Sequence, residues 1–192
     1  MSKPSWIAAI GIFLLLSPIL GAAESYKVFK GDGFSFRYPV DWEEGLPQAN
    51  TTRALVRAIS SRTGYAASCN VNVSFVAGLD RFTQAQINEA NHKLHDLKYL
   101  SRVENIAPDV KILDYNTNTY LSMQPASSVE FNTMVKTHNA SQVNRVFQIM
   151  TIRKPTRYVV TCRGEPVNFL KAREARDFIV STFLIFQNLG NP

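Results

Sequence analysis

Two cysteines, Cys69 and Cys162, constrain this chain more than any other feature. Each lies in a run whose side chains alternate between apolar and polar. In "CNVNVSFV", Cys69, Val71, Val73 and Phe75 share a face; in "YVVTC", Tyr158, Val160 and Cys162 do. A period of two is that of a β-strand, so both sulfurs lie on the apolar faces of strands. A fold must then bring two segments far apart in the chain to one sheet-based core. In an oxidising compartment the pair reads as one disulfide; in a reducing one, as two buried thiols. If formed, the bond closes a long loop, which chain-entropy models value at roughly 4–5 kcal/mol.

The N-terminus bears on that choice. Lys3 is the only charge ahead of an apolar run from Trp6 to Leu20, which contains "IAAIGIFLLL". "LGAA" follows, with Gly21 and Ala23 as the small residues that signal peptidase requires. The pattern is that of a secretory signal peptide over residues 1–23, cleaved before Glu24, with a periplasmic or secreted destination. The rival is an uncleaved membrane anchor, but Gly11, Pro18 and Gly21 interrupt the run and no basic cluster follows it. No cysteine near the cleavage site offers a lipid anchor. Residues 24–192 fit one domain, and no second apolar run is long enough to span a bilayer. Export favours the disulfide. The formal charge of +6 is thinly spread and permits attraction to an acidic partner without identifying one.

Along the chain, "YKVF", "KGDG" and "FSFRYP" predict a hairpin with Phe34, Phe36 and Tyr38 inward, Ser35 and Arg37 outward, and Pro39 ending the strand. Trp42 is expected to plug the core, and Glu43 to Thr52 to form a loop. "RALVRAIS" and "AASCNVNVSFV" read as strands joined at "SRTGY" as a hairpin connection. Thr83 and Gln86 form a capping box, with Phe82 and Ile87 as a hydrophobic staple, so a helix is expected from Gln84 to about Leu100. Its inward stripe would be Ile87, Ala90, Leu94 and Leu97. "VKILDYN", "SSVEFNTMV", "NRVFQIMTIR" and "RYVVTC" predict an antiparallel meander, with "KTHNASQ" joining the second and third runs and a tight turn at "KPT". A final helix over Val167 to Thr182 buries Phe169, Ala172, Ala175, Ile179 and Phe183. Strands, helix, strands, helix give an α+β fold: an antiparallel sheet with helices packed on its faces.

"GFSFRYPVDW" resembles the opening "GFxFxYPxxW" of PsbP-like domains, a group that includes an extrinsic photosystem II subunit and DcrB-type exported proteins. "YLSMQPASSVEF", "RVFQIMTIRKPTRYVVTC" and "FIVSTFLI" resemble that family's later strands and terminal helix. The resemblance covers most of residues 24–192 in short apolar matches. It implies an α/β/α sandwich and a largely non-catalytic role, binding partners or assisting assembly. The chain lacks the basic N-terminal tail of the photosystem subunit, and its cysteine pair is not general to the family. A nuclear GTPase role, known for an import factor that shares the fold, conflicts with the export signal.

Little in the sequence points to a reaction centre. His92 and His95 stand at i, i+3 on the first helix beside Asp96, a spacing that can place two imidazoles on one metal, but a third ligand must come from elsewhere. The plainer reading is a solvated helix face. His138 lies in a loop. A small secreted hydrolase built on these histidines, or a histidine-based metal module, is the alternative to a binding protein. No G-x-S-x-G, phosphate-cradling glycine loop or dinucleotide fingerprint is present, so no catalytic residue and no cofactor is expected. Arg153, Lys154 and Arg157 crowd one turn and Arg163 follows, a candidate surface for an acidic protein partner; Lys171, Arg173 and Arg176 decorate the last helix, whose wet side is expected to carry Lys171, Arg173, Glu174 and Asp177. Export and the lack of interleaved aromatics argue against nucleic acid. Sequons at Asn50, Asn72 and Asn139 matter only in a eukaryotic secretory route.

Overall fold

The computed structural model describes residues 25–47, 49–93, 109–136 and 141–186. The expected hairpin opens it. β1 (Tyr26–Gly31) and β2 (Phe34–Pro39) pair antiparallel with Gly31 opposite Phe34. Gly33 takes φ +80° in the turn, a backbone that a side chain rarely tolerates. Phe34, Phe36 and Tyr38 are buried and Arg37 is exposed, as alternation requires. Trp42 is fully buried, but it opens a strand. β3 (Trp42–Glu44) pairs with β4 (Thr52–Ala58), which shortens the loop expected from Glu43.

The connection at "SRTGY" is also more ordered than a hairpin turn. It forms a helical turn, α1 (Ser60–Thr63), ended by Gly64 at φ 71°. β5 (Ala67–Phe75) follows, then α2 (Gln84–Asn91). The capping box is present: Thr83 accepts from the Gln86 backbone, and the Gln86 side chain accepts from the Thr83 N–H at 2.9 Å. Phe82 stays exposed while Ile87 is buried. Inward positions differ from the expected stripe, since Ala90 is exposed and Asn91 is fully buried. Leu94, Leu97 and the rest of the expected helix lie outside the described residues.

β6 (Val110–Leu121), β7 (Gln124–Lys136), β8 (Ser141–Arg153) and β9 (Thr156–Gly164) form the expected meander. The last helix comes in two pieces, α3 (Pro166–Lys171) and α4 (Arg173–Ser181), divided at Ala172. The predicted stripe holds across the break: Phe169, Ala172, Ile179 and Phe183 are buried and Ala175 packs against them. Arg176, between the wet-side and inward residues, is largely buried: its side chain keeps only 11% of its surface exposed. β10 (Leu184–Ile185) pairs antiparallel with β2.

The strands make one seven-stranded sheet, in the order β3-β4-β5-β9-β8-β7-β6, and a three-stranded sheet, β1-β2-β10. The main core lies between the large sheet and a layer built from the small sheet with α3 and α4. Phe34, Phe36, Trp42, Val56, Val71, Val160, Phe169, Ile179 and Phe183 meet there. Cys69 and Cys162 are directly opposed on β5 and β9, bonded with S–S 2.09 Å and Cα–Cα 4.0 Å. α2 packs against β7 and β8 and buries Ile87 outside that core cluster. The result is the α+β arrangement expected, with helices on an antiparallel sheet.

Candidate functional site

A groove of about 830 Å³ lies between α4 and the β6–β7 edge of the large sheet. Its floor is Ser128 and Glu130 of β7 with Phe147 and Ile149 of β8; one wall is Arg176, Asp177 and Val180 of α4; the other is Asp114, Asn116 and Thr119 of β6. β6 breaks register between Ile112 and Asp114 and again between Asn116 and Thr119. Such bulges bend an edge strand and re-aim its side chains, a device common beside functional sites.

The β6–β7 hairpin tip closes one end. Leu121 pairs with Gln124, so Ser122 and Met123 alone make the turn. Their φ values are 53° and 60°. Two left-handed residues in a two-residue turn match the twist of the strands, but this geometry is normally supplied by Asn-Gly. Ser122 Oγ accepts the Ile185 N–H at 2.6 Å, tying the tip to β10. Met123 is 86% exposed, Tyr120 58% and Leu184 53%, and all three line the groove.

Glu130 organises the interior. Its carboxylate accepts from Arg145 through Oε1 and from Arg176 Nη1 through Oε2, the latter at 3.2 Å. The Arg176 guanidinium stacks 4.6 Å from the centre of the Phe147 ring and 5.4 Å from that of Phe169. It also meets Asp177 Oδ1 at 2.7 Å. Stacked cations sharing a carboxylate are fixed in place on both their flat faces and their edges. Chemically, this array supplies shape and charge; Glu130, Arg145 and Arg176 are spent on one another, while Asp177 is engaged through Oδ1.

The residues singled out from sequence fall elsewhere. Arg153 and Lys154 border a smaller cavity of about 420 Å³ with Asp32, Thr156 and Tyr158. Burial pushes the Tyr158 phenol up, and the nearby Arg153 charge works against that shift. Arg153 donates to the Ile185 carbonyl at 2.9 Å. Lys154 Nζ donates to the carbonyls of Asp80 and Phe82 at 2.9 and 3.0 Å, so its charge is committed to the loop before α2. Arg157 donates to Ser74 Oγ at 3.1 Å, and exposed Arg163 lies opposite Ser68. Arg157 and Arg163 are about 20 Å apart along one strand. The four cations therefore do not converge on one point. His92 Nδ1 lies 2.6 Å from the Thr117 carbonyl, with the ring edge-on to Tyr120. His95 and His138 lie outside the described residues. Among the described residues, no three His, Cys, Asp or Glu side chains are placed to hold a metal.

Sequence reasoning missed Glu130, Arg145, Arg176 and Asp114. The signal was available: Glu130 shares the inward alternation of Ala126 and Ser128, and an acid there demands a buried cation.

No family model matches this chain, and no curated protein matches it. Solved structures do. Cyanobacterial PsbP (CyanoP) from Synechocystis sp. PCC 6803 aligns with TM-score 0.54 at 12% identity, over 90% of this chain and 99% of that one. The Ran-binding protein Mog1p of Saccharomyces cerevisiae aligns with TM-score 0.50 at 12% identity, over 83% and 95%. A Bacteroides thetaiotaomicron protein gives 0.52 at 11% identity, with 88% of this chain spanning about half, 51%, of that one. The chain has the PsbP-like fold.

Proposed function

We propose that this protein is an exported, non-catalytic binding module that holds a partner protein in the groove between α4 and the β6–β7 edge. One observation carries the reading. The hairpin tip presents exposed Met123, Tyr120 and Leu184 beside a charge array already neutralised from within. Large apolar side chains in water are costly unless another surface covers them, and methionine adapts to whatever does. A backbone held in left-handed geometry at that tip also marks a place where presentation outranks local comfort.

Export is supported by the leader-like residues 1–23 and by the Cys69–Cys162 bond, which suits an oxidising compartment. The fold's neighbours include a protein described as Ran-binding, so this scaffold is compatible with a role in protein association; Ran itself is not proposed as a partner here. An accessory part in envelope assembly fits this address. The test is a photo-crosslinking residue at position 123 in the native host. A saturable adduct with one protein is expected, lost when Tyr120 and Leu184 become alanine. No adduct, together with turnover of a small substrate by the purified chain, would overturn the reading.

A further inference from the structure

The groove also carries information about its occupant. The chain as a whole is basic, with formal charge +6. Its groove presents the opposite sign to solvent. Arg176 and Arg145 keep 11% and 24% of their side-chain surface exposed, and both are committed to Glu130. Asp177 on the α4 wall is 59% exposed, and both its contacts with Arg176 fall on Oδ1. Asp114 on the facing β6 wall is exposed, and its carboxylate makes no ion pair or hydrogen bond among the described residues. Two carboxylates thus flank a trough whose end is apolar, on a chain of net positive charge.

Resting on the binding reading above, we infer that the occupant is a cationic segment of a partner protein, with Lys or Arg side chains received by Asp114 and Asp177 and apolar side chains received by Tyr120, Met123 and Leu184. Charge complementarity of this kind sets partner choice and encounter rate, and it disfavours acidic segments in the same groove. An anionic membrane surface or an acidic peptide meets the wrong sign here.

The test uses the mature chain and three labelled peptides: alternating Lys and Leu, alternating Glu and Leu, and alternating Ser and Leu. Fluorescence anisotropy should show saturable binding of the lysine peptide alone, weakened on adding salt. Asp114→Asn with Asp177→Asn should reduce its affinity by about tenfold. Asp114→Asn alone, at an exposed position away from the Arg176 array, should weaken binding without lowering Tm. Lysine-peptide binding indifferent to both substitutions, no binding of it, or equal binding of the glutamate peptide overturns the inference. Serine-peptide binding that is as tight and depends on Met123 also overturns it, while leaving the groove itself intact as a binding site. A self-association in sedimentation that the double variant abolishes would make a second copy the occupant, again against the inference. Failure of the position-123 crosslink instead removes the groove reading beneath it.

Discussion

Arg176 on α4 reaches Glu130 on β7 with Nη1 3.2 Å from Oε2, and the two side chains retain only 11% and 13% of their surface in solvent. That contact joins the helical layer to the sheet beside the groove. Removing one member of a buried pair strands the other's charge, which typically costs 3–5 kcal/mol; replacing both by apolar groups of similar size is far milder. Arg176→Met leaves Glu130 held by Arg145 and should therefore destabilise by less than that, roughly 2 kcal/mol, the scale of a lost hydrogen bond to a charged group. Glu130→Leu should be at least as harmful, since it leaves Arg145 and Arg176 facing each other. The double variant should recover part of the loss. Urea unfolding of the four proteins measures the coupling, and additive effects within about 0.5 kcal/mol would show the contact to be energetically idle.

Cys69 and Cys162 are a directly opposed pair at the centre of the large sheet, with a sequence separation of 93. The bond adds little to a geometry that the β5–β9 ladder already imposes. Its effect falls on the unfolded chain, where it closes a loop containing α2, β6, β7 and β8. Reduction, or Cys69→Ala with Cys162→Ala, should lower Tm by an amount corresponding to at most about 4–5 kcal/mol. Identical melting with and without reductant would count against that account.

The strands and the disulfide were legible because both faces of a strand are written in its alternation. β2 and β9 bury the residues that the pattern nominates, whereas β5 buries Cys69 and Val71 but leaves Phe75, at its end, 74% exposed. Where the core is polar, that signal fails. Asn91 sits at the inward position of α2, which apolar periodicity assigns to neighbouring Ala90. Its side chain accepts from the Ile152 N–H at 3.1 Å and donates to the Ile152 carbonyl at 3.0 Å. It completes β8 near the start of β7, where Pro125 has no N–H to give. A helix residue mimicking a strand has no sequence signature. The groove was equally hidden: Glu130, Arg145 and Arg176 lie 15 to 46 residues apart and become one array only through the β7–β8 register and the turn at Ala172. By contrast, the cation-rich turn at Arg153 was conspicuous in sequence, yet Arg153 and Lys154 donate to backbone carbonyls and Arg157 to Ser74 Oγ.

Tyr38 gives the fold an alkaline limit. Its phenol is pushed up from 10.0 to about 12, first by burial, then by the hydrogen bond it donates to Glu44 and by that carboxylate's charge. The bond is 2.9 Å long. Between those two values the unfolded chain releases a proton that the folded chain retains, so unfolding becomes easier as pH rises. The contribution is complete below pH 10 and is lost as pH climbs through about 12. Tyr38→Phe should flatten stability against pH across that window. In phenolate absorbance, the wild-type-minus-variant difference should titrate near 12 while folded. A difference titrating near 10 would mean that Tyr38 is open to water.

Met123 sets stability against binding at a single residue. Its φ of 60° places Cβ against the following carbonyl, at roughly 1–2 kcal/mol for a side-chain-bearing residue. Glycine removes that clash, although its greater freedom in the unfolded chain returns about 0.5–1 kcal/mol. Met123→Gly should therefore raise stability by about 0.5–1 kcal/mol, the balance of those terms. Met123→Ala keeps the strained backbone and loses only a side chain that is 86% exposed, so its stability should match wild type. Both variants lose the side chain that the groove offers a partner, and both should capture the crosslinked partner poorly when the photo-reactive residue is moved to position 181 on the α4 wall. Denaturant unfolding and crosslinking yield together decide the matter. If Met123→Gly is less stable than Met123→Ala, the turn is not strained. If either variant binds as wild type does, the thioether is not what the tip is shaped to present.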